Sequence, residues 1–328
     1  MILLCATLSA QTGIVYQLPR TKLEISVRAT RTIHHTGPLG AYAQQYLRMK
    51  VSPVETTKWK IDDITVKSLG TPDPERAYSA ELKDKDVASH VQLTPDGRII
   101  AVNSPLQKYT MPENEEDENT DDFIDPRPHM TEEILSATSE AKTAELAAKE
   151  IYNIRESRNA ITSGQADYMP QDGTAMKLML DNLDMRERAL TGLFAGWDET
   201  YSTTRSFSYS PEEPEEGFII FRFSPSYGIL QPDDLSGEPY LLGVKNIDPL
   251  PVIVPGEEAK KEKQAGVIYN IPGNAMVTIS HKGECLFEEI LPVTQFGTTE
   301  VLVKAMFKLK NNTSVVFDPE TGSILKIN

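Results

Sequence analysis

Cysteine is almost absent: the 328 residues hold two, Cys5 and Cys285. If Cys5 leaves with a leader, no intramolecular disulfide can form and no zinc cage can be built from thiolates. Cys285 lies in the segment 283–287, next to an expected hairpin turn, and is expected as a small buried hydrophobe, since a reactive thiol needs exposure and a basic neighbour. Long apolar runs are absent too. None reaches the roughly 18 residues of a membrane-crossing helix, so no membrane span is expected. Basic charge is scarce: 33 Lys and Arg face 48 Asp and Glu, for a formal net charge of −15. Affinity for nucleic acid rests on cations neutralising phosphates, so no nucleic-acid partner is expected, and anionic membrane surfaces are disfavoured for the same reason. There is no His-Glu-x-x-His helix, no Gly-x-Ser-x-Gly elbow and no glycine-rich phosphate loop.

The chain begins with a short apolar run that ends in small residues at Ser9 and Ala10, the pattern of a signal-peptide core and cleavage site. The usual positive stretch before it is missing, so either a start further upstream or a trimmed N-terminus is expected. Export is the expectation, with 1–10 as the remnant of the signal. A buried first strand is the alternative, but the run lacks β-branched alternation and a fresh strand signal begins at Gly13. Lipidation at Cys5 is disfavoured, because Leu4 precedes it where a small residue would suit the peptidase.

An internal repeat organises what remains. Residues 13–19, Gly-Ile-Val-Tyr-Gln-Leu-Pro, match 266–272, Gly-Val-Ile-Tyr-Asn-Ile-Pro. Alternating segments follow both, at 22–27 and 275–280, with a slip of one residue between them. A second match closes each unit: 97–103, Gly-Arg-Ile-Ile-Ala-Val-Asn, against 322–328, Gly-Ser-Ile-Leu-Lys-Ile-Asn. Period-two alternation marks half-buried strands. The Pro-Asp-Gly and Pro-Glu-Thr-Gly turns make the closing strands second arms of hairpins. Two related β units are therefore expected, 13–103 and 266–328. The first carries extra material: a short helix over 37–49 and a further strand over 59–69.

Eight acidic residues and no Lys or Arg fall in 113–125, about half of the net negative charge. This stretch is expected as an exposed linker, solvated rather than calcium-binding, because it lacks an EF-hand pattern. A helix follows Thr131, its apolar stripe rich in alanine, and stops near Gly164; a second runs from about Asp172 to Gly196. Together they predict an antiparallel helical hairpin. Beyond it, 218–224 and 239–245 read as strands, and 201–209 is expected to pair with 218–224.

Arg155 and Arg158 lie one helical turn apart, so both guanidiniums project from one face. They are either interhelix ion-pair partners, facing the turn at Asp172 and the acidic stretch 181–184, or with Arg222 an anion site, since Arg offers bidentate donors to carboxylate or phosphate; Asp172 is a ligand-binding candidate beside them. Phe223 belongs to an aromatic cluster at 201–227 that fits core packing or sugar stacking. His34 and His35 are adjacent, so on a strand they face opposite sides and do not share a metal. No catalytic residue, metal ligand or cofactor is expected.

The chain resembles a family of unknown function found in exported proteins of Bacteroides and related gut bacteria. The resemblance rests on 16–21 (Tyr-Gln-Leu-Pro-Arg-Thr), 37–43, 154–158 with 171–173, 193–196, 221–225 and 292–297, and spans nearly the whole chain. It implies export to the periplasm or cell surface and no known activity. The fold class expected is α+β: two related β-sandwich-like units, a central β segment and the helical hairpin. The divisions are 11–109 (first β unit), 110–130 (acidic linker), 131–196 (hairpin), 197–265 (central β segment) and 266–328 (second β unit). The function expected is non-enzymatic binding or scaffolding in the cell envelope, with another envelope protein or a glycan as partner. The alternative is a periplasmic hydrolase acting on glycan or peptide.

Overall fold

The alternating segments fold into two long antiparallel ribbons. The first pairs β1 (Ile14–His35) with β2 (Thr56–Ala80); the second pairs β10 (Gly266–His281) with β11 (Glu284–Val303). The computed structural model describes residues 14–80, 90–105, 119–166, 172–248, 266–307 and 313–328.

The repeat is carried in geometry as well as in letters. In β1, Gln17 pairs with Ala77 and Pro19 with Pro72, so 73–76 bulge from the partner strand. In β10, Ile271 pairs with Thr298 and Gly273 with Val293, so 294–297 bulge in the same way. An extra residue in a ribbon reverses which face each side chain takes. Successive side chains of β1 also take opposite faces, so Tyr16 and Leu18 enter one core, while Leu23, Ile25, Val27 and Ala29 enter another. The closing turns dock alike: the Gln17 N–H donates to Gly97 O at 2.9 Å, and the Asn270 N–H to Gly322 O at 3.0 Å.

The described strands form three antiparallel sheets. The first has the order β2-β1-β6-β5, with β5 (Asn119–Asp121) and β6 (Trp197–Tyr209). The second runs β11-β10-β9-β7-β8, with β7 (Glu215–Ser224), β8 (Gly228–Leu230) and β9 (Glu238–Asn246). The third runs β13-β12-β4-β3, from β3 (Val91–Leu93), β4 (Ile99–Val102), β12 (Val315–Phe317) and β13 (Ile324–Ile327).

This corrects three expectations. Two sandwich-like units are not what forms. The closing hairpins of both copies join in the third sheet through β4 and β12, and the two ribbons share a core, so neither copy closes its own. Buried Arg98 ties the two closing turns, bonding Asp96 at 3.0 Å and Pro319 O at 2.6 Å. Second, β6 does not pair with β7. It lies along the free edge of β1, and the turn at 210–214 carries the chain into the second sheet. The aromatics then meet between sheets, Phe207 stacking on buried Phe221 at 5.4 Å.

Third, a helical hairpin is not shown. Thr131 caps a single turn, α2 (Glu132–Leu135), and Ser139 starts the helix again as α3 (Glu140–Thr162). The short helix expected at 37–49 is the single turn α1 (Ala43–Tyr46) behind a 3-10 turn. Asp172 caps α4 (Gly173–Ala195), which ends at Gly196 with φ +83°. Residues 167–171, between α3 and α4, lie outside those described. The apolar stripes of both helices turn toward 39–51: Ala147, Ala148 and Ile151 of α3 and Leu190 and Phe194 of α4 pack with Leu39, Ala43 and Leu47. Cys285 is a further correction. It is exposed beside the β10–β11 turn, where the ribbon end has no core to enter. Cys5 lies outside the described residues. Among the described residues no helix is long and apolar enough to cross a membrane.

Candidate functional site

A cleft of about 970 Å³ opens where β1 ends, between the first sheet and the helices. Its position follows from backbone contacts. Past His35 the chain turns against α4: the Leu39 N–H donates to Leu193 O at 2.7 Å, and a Cβ on Gly37 would stand 2.4 Å from that same oxygen. Only glycine allows so close an approach.

The floor is one face of α4. Arg188, Thr191, Gly192 and Ala195 recur at helical spacing and line the cleft. Gly192 stands inside the helix, where glycine costs about 1 kcal/mol relative to alanine. Among the described residues nothing lies within 4 Å of where its Cβ would be. The Thr191 hydroxyl beside it is sealed from solvent and has no hydrogen-bond partner.

The wall is 122–130, the second half of the stretch expected as a linker. Aspartates shape it: Asp121 accepts from the Phe123 N–H at 2.9 Å and Asp125 from the Arg127 N–H at 3.0 Å. These bends leave Phe123 47% exposed, its ring 4.9 Å from that of Trp197. Met49 and Met130 complete an apolar lining.

The histidine pair closes the far end, at the β1–β6 junction. His34 and His35 take opposite sides, as adjacent strand residues do. His34 Nδ1 lies 2.7 Å from Asp198 Oδ1 in the cleft. His35 stacks on Trp197 at 5.1 Å and lies between Glu55 at 3.2 Å and Glu199 at 3.3 Å. Hydrogen bonds donated to Glu199, then to Glu55, raise the His35 pKa. The Tyr201 hydroxyl, then His35, lower that of Glu199. Among the described residues no group of three or more His, Cys, Asp or Glu is placed to hold a metal ion.

The residues singled out in the sequence do not converge. Arg155 bonds Glu187 at 2.6 Å; Arg158 bonds Asp184 at 2.6 Å and also Glu187. These are ion pairs between α3 and α4. Asp172 accepts from the Thr174 N–H at 3.1 Å as a helix cap. Arg222 donates to Pro232 O at 2.9 Å and Gly237 O at 3.0 Å, holding a loop of the second sheet. Phe223 packs edge-on to Tyr240 in the core between sheets. Of these five only Arg155 reaches the cleft. Gly192, Thr191 and Trp197 were missed. Gly192 was the readable signal, a glycine inside a strong helical stripe.

Residues 12–325 match the family described as a domain of unknown function, DUF4831. The chain belongs to the DUF4831 family. No curated protein and no solved structure matches it. Membership covers the sheets, the helices and the cleft alike, and it assigns no role to any residue of this DUF4831 chain.

Proposed function

We propose that this chain is a non-enzymatic binding protein of the cell envelope and that the cleft over α4 is its ligand site. The open floor at Gly192 carries the reading: a destabilising residue faces empty space, which a ligand approaching the helix backbone would use. The volume falls in the range of small-molecule sites, and the lining is mostly apolar with a few polar groups. The apolar run at 2–10 supports export to the periplasm or cell surface. The size and apolar lining of the cleft fit a small molecule of the envelope better than the protein or glycan partner expected from the sequence.

Thermal unfolding against a panel of glycans, peptides and organic acids tests this. Some compound should raise the midpoint of the native chain and leave Gly192→Phe unmoved. Equal shifts in both proteins, or no shift with any compound, would count against the cleft. The hydrolase reading has one observation in its favour, the His34–Asp198 pair in the cleft. Against it, Thr191 is the one hydroxyl among the described lining residues, and it bonds to neither. Turnover of any panel member that His34→Ala abolishes would favour the hydrolase.

A further inference from the structure

Resting on the cleft as a binding site, we infer that its ligand is an apolar carboxylic acid, with the hydrocarbon body in the cleft and the carboxylate on Arg127 and Arg188. Both arginines line the cleft, from adjacent elements: Arg188 from α4, Arg127 from the 3-10 turn packed against it. Among the described residues no carboxylate comes within the 4.0 Å of an ion pair to either side chain, whereas Arg155 beside them is paired with Glu187. Two carboxylates of the cleft are already engaged, Asp198 by His34 and Glu187 by Arg155 and Arg158. A guanidinium presents a planar fork that fits a carboxylate with two parallel hydrogen bonds.

The rest of the lining sets the other half of the ligand. Met49, Met130, Phe123 and Leu193 offer apolar surface, and methionine adapts to irregular hydrocarbon shapes. Asp122 and Asp125 also line the cleft and offset the two arginines. A small inorganic anion therefore gains little, and a doubly charged phosphate less than a singly charged carboxylate. The apolar body supplies affinity, the arginines selectivity.

Calorimetric titration of the full chain with decanoate, 1-decanol and decyl phosphate is the test. Decanoate should bind about tenfold or more tighter than decanol, as expected for charge-assisted hydrogen bonds. Arg127→Gln and Arg188→Gln should each weaken decanoate about tenfold and leave decanol unchanged. Gly192→Phe should abolish binding of both. Equal affinity for acid and alcohol, indifference to both arginine substitutions, or tighter binding of decyl phosphate overturns the carboxylate assignment. If those results come with loss of binding in Gly192→Phe, the cleft reading still stands. Decanoate binding that persists in Gly192→Phe overturns the cleft itself. Failure of the native chain to bind either decanoate or decanol overturns the ligand class, and the compound panel then decides the cleft alone.

Discussion

The two ribbons share a bulge, a burial phase and a docking hydrogen bond, and they part company at their far ends. The second closes in the tightest way available: Lys282 and Gly283, both left-handed at φ +50° and +84°, turn β10 directly into β11. The first does not close there. Twenty residues separate His35 from Thr56, and they carry α1 and the contacts to α4. The cleft lies at this end, where the first ribbon departs from its twin. The two copies share a frame, and the proposed ligand site lies where one copy departs from it.

Ile25 and Ile279 test the shared frame. They occupy matching positions in β1 and β10, both fully buried in the core between the sheets. Alanine at either should cost about 2–5 kcal/mol by urea unfolding. A large loss at one and almost none at the other would break the equivalence of the ribbons. Gly283→Val tests the unembellished end. A β-branched residue at φ +84° is strained, so about 1–2 kcal/mol should be lost while cleft binding is unchanged.

Gly192→Ala should act in the opposite sense. With open space around the added methyl group, helix propensity should raise stability by about 0.5–1 kcal/mol while affinity falls. Gain of stability without loss of binding would remove the reason given for the glycine.

The smallest effect is electrostatic. His35 has a raised pKa in the folded chain, so its pairing with Glu199 and Glu55 stabilises fully below its ordinary value of about 6.5 and is lost as pH rises through the raised one. Glu199 has a lowered pKa, so its share is present above the ordinary carboxylate value of about 4.3 and is lost as pH falls through the lowered one. Stability should therefore fall slightly on both sides of that window, and His35→Gln should flatten the alkaline side. A native profile that rises above pH 7 would contradict the pairing.

Much of the frame was legible in the sequence because strands and turns are local. The Tyr-x-(Leu/Ile)-Pro openings, the Pro-Asp-Gly turn, the cap at Thr131 and the helix start near Asp172 each have a short-range cause. The one-residue slip between copies was visible as well, and it is the bulge at 18 against that at 272. What stayed hidden was long-range. Nothing near 201–209 says that its partner is β1 rather than β7, because both edges accept an alternating strand. The spacing of Arg155 and Arg158 predicted a shared face, but Glu187 decides what that face does. The cleft needed three segments distant in sequence, around His34, Phe123 and Gly192.

Fluorescence of Trp197 tests the central claim most directly. Trp59 is the other tryptophan, and Trp59→Phe leaves Trp197 in the cleft as the reporter. Titration with decanoate should give a saturable change in that background. The change should persist in Gly283→Val, at the plain ribbon end, and vanish in Gly192→Phe. A saturable change that survives Gly192→Phe would show that the added end of the first ribbon is not where this protein binds.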